Sequence, residues 1–387
     1  TKIWHAPCVD IATELGRQSR CQILGLRRMQ TTQNSKILVV VHGKGRGREV
    51  PTGKAFQKRL AQTNHSLLQD IRIHETGAGV PSLADVRAIV FWLGDPLQQK
   101  YPDCYTEAKA IADEAEALGL KVLNHPDALC NTSKTMQARI WSEKKVPSAA
   151  VRLVRNDSQL RSAVFELGKP CIVRSDCEHA QRDVTIVRNQ EDLARCSLTS
   201  GTASAVLRLY DIRQEYRDVR GGFSHLFREY HHKARAFVIG DQVMASHLFF
   251  SKSPIVGLSN SLFSRESSHN RAVARKFGYH RHLLDELIEA DQQYFNSPVL
   301  GRAHLVQAVR SLGLDIAAVD YSIRPDGQVM IWEANPYFWL PEGESSVLSE
   351  ERHAVERVQK SFDWMADCLQ AATPQTGTGE FEEVVSA

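Results

Sequence analysis

From Lys36 onward, short runs of apolar residues alternate with longer segments in which apolar side chains recur every three to four positions. The first pattern is typical of buried strands and the second of amphipathic helices. Over the first part of the chain, we predict strands at 37–41, 88–92 and 121–123 and helices at 54–68 and 107–118. Strands that alternate with helices at this spacing predict a parallel sheet that is covered on both faces.

After residue 124 the segments become shorter, which predicts a small α+β unit of about the size of a lid. Ser133 and Asp157 are predicted to cap helices, because a side-chain oxygen at that position can accept a hydrogen bond from the first turn. In this unit we predict helices at 134–144, 157–167 and 190–196 and strands at 151–154, 171–174 and 184–187. In a third unit we predict strands at 205–212, 234–239 and 242–249, a hairpin at 319–336, and helices near 280–295, 303–312 and 350–371.

These patterns divide the chain into five segments. They are an N-terminal extension at 1–34, an α/β domain at 35–125, a lid unit at 126–204, a third unit at 205–372 and a tail at 373–387. The tail is rich in Gly and Thr and then acidic, so we expect it to be disordered.

The composition is that of an ordinary globular protein. Of the 387 residues, 42% are hydrophobic and 24% are charged, and the formal net charge is only +3. This balance gives no electrostatic case for a nucleic-acid or membrane-surface partner. The eight cysteines include no CxxC pair, and no apolar run has the length of a leader or a membrane span. We therefore expect reduced thiols and a cytoplasmic protein.

The hairpin "VDYSIRPDGQVMIWEANP" carries the most informative polar residues. Glu333 and Asn335 are two positions apart on one strand, so their side chains point to the same face. Pairing about a turn at Asp326–Gly327 brings Asp320 opposite that end of the strand. Two carboxylates and one amide oxygen are hard ligands of the kind that hold Mg²⁺ when substrate phosphates and waters complete the coordination. We call Asp320, Glu333 and Asn335 the ligand cluster.

A polar strand face near a turn is, as an alternative, simply solvated surface. Against this alternative, both strands contain apolar runs, at 314–319 (with Asp315 as the exception) and at 329–332. Such runs are typical of central strands, where a charged side chain needs a partner or a function.

The spacing of the ligand cluster resembles the signature of the ATP-grasp ligases, such as D-alanine–D-alanine ligase, glutathione synthetase and the ribosomal-protein glutamate ligases. The resemblance covers roughly residues 36–370. It implies an ATP-grasp fold with a Rossmann-like pre-ATP-grasp domain, a lid subdomain and a catalytic subdomain. It also implies that Asp320 and Glu333 bind magnesium, with Glu333 bridging two ions, and that Asn335 supplies an amide oxygen.

Three further segments carry the resemblance: "VLNHPDALCNTSKTMQARIW", "KPCIVRSD" and "HHKARAFVIGDQVMASHL". The first implies that Lys134 contacts phosphate, and the second implies the same of Arg174. The third places Lys233 and Arg235 in the cation positions that face the γ-phosphate or the carboxylate. The strand "AVLRLYDI" resembles the hinge strand, so Asp211 is assigned to the nucleotide.

The function that this resemblance implies is an ATP- and Mg²⁺-dependent carboxylate–amine ligase that forms an amide or peptide bond through an acyl phosphate. The cofactors are then ATP and two Mg²⁺ ions, with Mn²⁺ as a substitute. The partners are a small-molecule or peptide carboxylate and an amine co-substrate. A homodimer is expected only as the commonest soluble assembly. Two alternatives remain open: an ATP-grasp-type kinase, and a nucleotide-binding regulatory protein without turnover.

The sequence departs from the family pattern at three places. Arg174 replaces the usual lysine, and the two cations are not interchangeable. Residues 175–182 contain no glycine, whereas the family has a Gly-rich phosphate loop there, and Asp176 and Glu178 are expected to repel phosphate. Ala318 stands where D-alanine ligases have an arginine. We expect another cation to take that role: Arg265, Arg271 or Arg302.

Two further segments have more than one interpretation. The loop "VHGKGRGREVPTGKAF" matches neither nucleotide-loop motif, so we interpret it as a surface loop. Its cations Lys44, Arg46 and Arg48 could still contact an anionic acceptor. Residues 337–339 are Tyr-Phe-Trp, which suit either an apolar acceptor or the core.

Overall fold

Three four-stranded sheets form the framework of the described part of the protein, which is presented as a computed structural model. The structure describes residues 36–44, 52–178, 184–198, 202–257, 260–263, 281–338 and 352–373, within one of the chain's two compact units. The N-terminal extension, and the tail apart from Thr373, lie outside the described residues. Among the described residues, no helix is long and apolar enough to cross a membrane.

The first sheet is parallel and is covered on both faces, as its sequence pattern predicts. Across the sheet the strands are β2 (Ile71–Glu75), β1 (Lys36–Val41), β3 (Val86–Trp92) and β4 (Lys121–Leu123). The helices are α1 (Thr52–Gln62), α2 (Leu67–Asp70), α3 (Leu97–Lys100) and α4 (Pro102–Ala117). Alternate residues of β1 face opposite cores: Leu38 packs in the core that contains α4, and Ile37 packs in the core that contains α1.

The second sheet is antiparallel and forms the small unit predicted as a lid. Its strands across the sheet are β5 (Val151–Val154), β8 (Ser204–Arg208), β6 (Cys171–Ser175) and β7 (Thr185–Val187). Its helices are α5 (Lys134–Glu143), α6 (Asp157–Leu167) and α7 (Gln190–Arg195). The strand predicted at 205–212 ends at Arg208, and it pairs here rather than in the third sheet.

One predicted helix cap is confirmed and one is wrong. The Ser133 side chain accepts a hydrogen bond from the Met136 N–H group and caps α5. Asp157, by contrast, is the first helical residue of α6. Asn156, with extended backbone angles, is the cap and accepts from the Gln159 N–H group.

The third sheet is antiparallel and carries the predicted hairpin. Its strands across the sheet are β10 (Gln242–Ser251), β9 (His231–Ile239), β11 (Ile316–Ile323) and β12 (Val329–Asn335). The remaining helices are α8 (Ser224–Glu229), α9 (Arg281–Asn296), α10 (Arg302–Ser311) and α11 (Arg352–Ala372), and 3-10 helices span Ala128–Thr132 and Ile212–Tyr216.

Asn124 joins the first sheet to the third. It follows β4 at φ 54°, a left-handed conformation that Asn tolerates better than most residues. Its side-chain oxygen accepts from the N–H groups of Asp315 and Ile316, and its amide donates to the Ile316 carbonyl, each at 2.9 Å. Because these bonds hold the start of β11, Asn124 helps to fix the position of the strand that carries Asp320.

A buried ion pair ties α11 to α9 behind the third sheet. Arg357 Nη1 lies 2.5 Å from Asp291 Oδ2, and the side chains are 6% and 3% exposed. Asp291 also accepts from the Leu248 N–H group at 2.7 Å, and the Arg357 guanidinium lies over the Phe295 ring. Each charge is thus neutralised by the other at a position that water hardly reaches.

We expect Arg357→Met to lower the free energy of unfolding by about 3–5 kcal/mol, because it leaves the Asp291 carboxylate buried without its cation. Urea denaturation measures this change. Arg310→Met is the matched control, since its ion pair with Asp241 is 58% and 65% exposed and contributes at most about 1 kcal/mol. Equal stabilities of the two variants would contradict the assignment.

Candidate functional site

The hairpin brings the ligand cluster together at one edge of the third sheet. Asp320 pairs directly with Glu333, and Ala318 pairs with Asn335. The turn closes through a hydrogen bond from the Gly327 N–H group to the Arg324 carbonyl. Asp320 and Asn335 are 4% and 8% exposed, so the polar face is buried rather than solvated. The alternative of a plain surface hairpin is therefore wrong.

Two cations of β9 hold the Asp320 carboxylate. Arg235 pairs with Asp320 in register, and its Nε and Nη2 lie 2.6 and 3.0 Å from Oδ1 and Oδ2. Lys233 Nζ lies 3.0 Å from Oδ2. Burial raises the pKa of Asp320, but Arg235 and Lys233 outweigh burial and hold the pKa below its ordinary value. The carboxylate is therefore ionised, and the predicted pair Lys233 and Arg235 lies against the ligand cluster.

Lys134 reaches the cluster from the first turn of α5. Its Nζ lies 3.4 Å from Glu333 Oε1, and its side chain is 4% exposed. Gln137, one turn later, fixes this approach: its side chain exchanges hydrogen bonds of 2.8 and 3.1 Å with the backbone N–H and carbonyl of Ala334. The Gln137 side chain thus makes, beside Glu333, backbone hydrogen bonds of the kind that a neighbouring strand would make with β12.

Arg174 and Lys134 meet on one carbonyl oxygen in the segment that follows β6 of the second sheet. The Glu178 carbonyl accepts from Lys134 Nζ at 2.7 Å and from Arg174 Nη2 at 3.1 Å. The two cations that the sequence assigns to phosphate therefore converge, although β6 and α5 are distant in the chain. The site lies between the second and third sheets, because Lys134 contacts both Glu178 and Glu333.

The Asp176 carboxylate does not face this convergence as an open charge. It accepts from the N–H and hydroxyl groups of Thr135, both at 2.9 Å, and so caps α5 together with Ser133. The expected repulsion of phosphate by Asp176 is reduced by these bonds. Residues 179–182 of the glycine-free segment lie outside the described residues.

Asp211 occupies a different environment from the other predicted residues. It caps the 3-10 helix after β8, and both of its oxygens lie 2.7 Å from the guanidinium of Arg213. The Arg213 side chain, and its charge, lower the pKa of Asp211. Its contact with nucleotide stays a prediction.

Of the three arginines considered as substitutes for the missing one, the described residues include only Arg302. Arg265 and Arg271 lie outside the described residues. Arg302 donates to the Asp241 carbonyl at 2.9 Å, which places it at the β9–β10 turn. Arg235, like Lys233, already bonds to Asp320 and so faces the hairpin directly.

His247 belongs to the same face, although no sequence pattern pointed to it. It pairs with Arg235 across β10 and β9, and its ring stacks on Phe249 with centroids 3.9 Å apart. Burial, and then the Arg235 charge, lower its pKa well below the ordinary value. A neutral imidazole, a guanidinium and two carboxylates thus follow one another across four strands.

The donor set of the ligand cluster fits Mg²⁺ in its chemistry. Two carboxylates and an amide are oxygen donors, and Mg²⁺ usually takes only one or two protein carboxylates beside phosphates and waters. Among the described residues, no group of three or more His, Cys, Asp or Glu side chains could hold a metal by itself. In its chemistry the cluster suits an ion whose remaining ligands are phosphates and waters.

The carboxyl edge of the first sheet carries His42. It follows β1, is 7% exposed and accepts the Gly94 N–H group at Nε2 over 2.7 Å. Tyr101 and Tyr337 lie against its ring at 4.7 and 5.7 Å between centroids. Burial lowers the pKa of His42 to about 4. Tyr337 thus connects the end of the hairpin to the first sheet.

The structure describes some of the other residues for which the sequence left more than one interpretation. Phe338 is 3% exposed and packs against Trp92 and Phe237, so it belongs to the core. Lys44 is exposed. Arg46, Arg48 and Trp339 lie outside the described residues.

Comparison with known proteins finds likeness in structure alone. No family model and no curated protein matches the chain. A structure of the ATP-grasp ligase PsnB with minimal precursor, Mg and ADP is 14% identical, covers 88% of this chain and 99% of its own, and has a TM-score of 0.49. An ATP-grasp RimK-domain protein from Sphaerobacter thermophilus is 13% identical, covers 84% and 98%, and has a TM-score of 0.45. D-cycloserine synthetase DcsG is 10% identical, covers 85% and 99%, and has a TM-score of 0.47.

We expect Asp320→Asn to lower the free energy of unfolding by about 3–5 kcal/mol, because Arg235 and Lys233 lose the carboxylate that offsets their burial. Urea denaturation measures the loss, with Asp241→Asn, which alters an exposed carboxylate, as control. A loss below about 1 kcal/mol would show that the cations find other partners. Asp320→Asn is therefore a poor variant for an activity test.

We expect stability to fall as pH decreases below about 6.5, in part because of His42. Its folded pKa of about 4 lies below the unfolded value, so the unfolded chain binds the extra proton between these pH values. His42→Gln, which keeps an acceptor for Gly94, should reduce the pH slope of the unfolding free energy by about 1.4 kcal/mol per pH unit near pH 5.

Urea denaturation between about pH 5 and about pH 7 measures this slope. His304→Gln on the exposed face of α10 is the control and should leave it unchanged. An equal slope in wild type and His42→Gln would contradict the account of His42.

Proposed function

We propose that this chain is an ATP- and Mg²⁺-dependent carboxylate–amine ligase of the ATP-grasp type. The observation that carries the proposal is the convergence of Lys134 on two groups: the Glu178 carbonyl beside Arg174, and Glu333 beside Asp320. Lys134 thus lies beside Arg174, a cation suited to a polyphosphate, and also beside the hard oxygen ligands suited to the metal of that polyphosphate. Such an arrangement supports a phosphoryl-transfer site.

The chemistry to be performed is the activation of a carboxylate. Transfer of the γ-phosphoryl group to the carboxylate forms an acyl phosphate, and an amine then displaces phosphate. Both steps concentrate negative charge, so positioned cations supply most of what the protein can contribute. The residues at the site are suited to this role because burial strengthens their electrostatic effect.

The roles follow from position. Lys134 and Arg174 would bind the α- and β-phosphates, since they already share one oxygen acceptor. Lys233 and Arg235 would place positive charge beside the γ-phosphate and the acceptor carboxylate. Their bonds to Asp320 fix their orientation before substrate arrives, which lowers the cost of reorganisation.

The metal would be held by Asp320, Glu333 and Asn335. Bound there, Mg²⁺ would neutralise phosphate charge during transfer. Glu333 is the best single residue for a test. Its substitution leaves Lys134 with two carbonyl acceptors, those of Glu178 at 2.7 Å and Asp176 at 3.5 Å. The fold should therefore tolerate Glu333→Gln better than Asp320→Asn.

One observation favours the regulatory alternative. The described part of the glycine-free segment presents carbonyl oxygens to Lys134 and Arg174. A site whose cations are already bonded would bind nucleotide weakly. Retention of two carboxylates and an amide at the hairpin favours the ligase over this alternative, since binding without turnover would not need all three.

We expect Glu333→Gln to weaken Mg²⁺-dependent binding of ATP and to reduce ADP formation on the order of 10²-fold or more. Titration calorimetry with and without Mg²⁺ measures binding, and circular dichroism checks the fold. Glu215→Gln is the matched control, because Glu215 forms a surface ion pair with Arg324. Equal Mg²⁺-dependent binding by wild type and Glu333→Gln would reject the metal assignment.

Phosphate release then separates the candidate activities. A ligase releases free phosphate only when pools of carboxylates and amines are both supplied. A kinase forms ADP and transfers the phosphate to a hydroxyl acceptor without releasing it. Binding of ATP without ADP formation under any of these conditions would support the regulatory alternative.

A further inference from the structure

Three cations from three different elements converge on one tripeptide, Asp176–Glu178, which we call the strap. Lys134 Nζ lies 2.7 Å from the Glu178 carbonyl and 3.5 Å from the Asp176 carbonyl. Arg174 Nη2 lies 3.1 Å from the Glu178 carbonyl, and Lys100 Nζ lies 3.3 Å from the Cys177 carbonyl. Every backbone carbonyl of the strap therefore accepts from a cation.

This orientation is opposite to that of an anion-binding loop. A loop that cradles phosphate directs its N–H groups toward the ligand, whereas the strap directs its oxygens toward the cations. The Glu178 oxygen thus occupies the position between Lys134 and Arg174 that a phosphate oxygen would take. Two oxygens cannot both occupy it, so the strap and a polyphosphate exclude each other there.

Lys100 and Glu178 hold the strap in this position. Lys100 Nζ lies 3.1 Å from Glu178 Oε1, in addition to its bond to the Cys177 carbonyl. Lys100 ends α3, beside the first sheet, so the contact joins that part of the molecule to the segment that follows β6 of the second sheet. The two contacts of Lys100 involve neither Lys134 nor Arg174 and not the helix α5, and the ion pair is the one of them that a side-chain substitution in the strap can remove.

We propose that the strap is an internal competitor for the polyphosphate subsite and that the Lys100–Glu178 ion pair holds it there. Nucleotide binding then displaces the strap and releases Lys100 from Glu178. The affinity for nucleotide is thereby linked to a contact between α3, beside the first sheet, and the strap. The proposal rests on the nucleotide site of the proposed function.

The size of the effect follows from the exposure of the ion pair. The side chains of Lys100 and Glu178 are 22% and 41% exposed, so water screens their attraction. Pairs of this kind change an equilibrium roughly two- to fivefold. Nucleotide affinity should therefore tighten by roughly this factor when the ion pair is removed.

Lys100→Met and Glu178→Gln test the proposal, because each removes the ion pair and keeps the strap backbone. Titration calorimetry on the full chain measures the dissociation constants of Mg·ADP and of inorganic triphosphate. We expect each variant to bind both probes roughly two- to fivefold more tightly, and the double variant no more tightly than either single one. Arg152→Met and Glu166→Gln, which remove an exposed ion pair elsewhere on the second sheet, should leave both constants unchanged.

The outcomes separate this proposal from the proposed function. Unchanged affinity in Lys100→Met and Glu178→Gln, with measurable binding by wild type, overturns the strap alone. Weaker binding by Lys100→Met also overturns it, since Lys100 would then contact phosphate directly. No binding of either probe by wild type or by any variant overturns the nucleotide site, and the strap with it. Binding that appears only in the variants supports both proposals.

Discussion

The pairing of Arg235, Asp320 and Glu333 across three adjacent strands is the constraint on which the site depends. All eight residues of β11 are buried, so the Asp320 charge is tolerable only beside the cations of β9. A slip of one residue would move Asp320 to the opposite face, where Val319 packs in an apolar core. The ion pairs therefore fix the strand register, and the register in turn places Glu333 and Asn335.

Lys134 connects the charged residues of this sheet to another part of the molecule. A lysine on the first turn of α5 contacts Glu333 in the third sheet and the Glu178 carbonyl just after β6 of the second sheet. Its position is fixed by the Ser133 cap and by the bonds between Gln137 and Ala334. Any ligand that draws Lys134 toward itself will therefore act on both sheets, which makes this residue the natural link between binding and rearrangement.

Local patterns predicted what depends on local chemistry. The turn at Gly327 fixed the hairpin, and strand alternation placed Glu333 and Asn335 on one face, both as observed. Pairing between segments that are distant in the chain was harder to predict from the sequence. The strand β2 was missed because its sequence, IRIHE, contains charged residues and its side chains are only half-buried. The strand β8 was assigned to the wrong sheet because its own sequence does not specify which strands it pairs with. His247 and Lys100 were missed for the same reason, since only the register of β10 and the packing of α3 bring them to the site.

The glycine-free segment acquires a physical interpretation from the strap. Without glycine, Cys177 and Glu178 are restricted in the backbone conformations that would direct N–H groups at phosphate. Their carbonyls bond to Lys100, Lys134 and Arg174 instead. A ligase and a regulatory protein can then share every residue of this site and differ only in the free energy needed to displace the strap. The ion pair of Lys100 with Glu178 contributes to that free energy from outside the site, so the first domain can influence which of the two behaviours the protein shows.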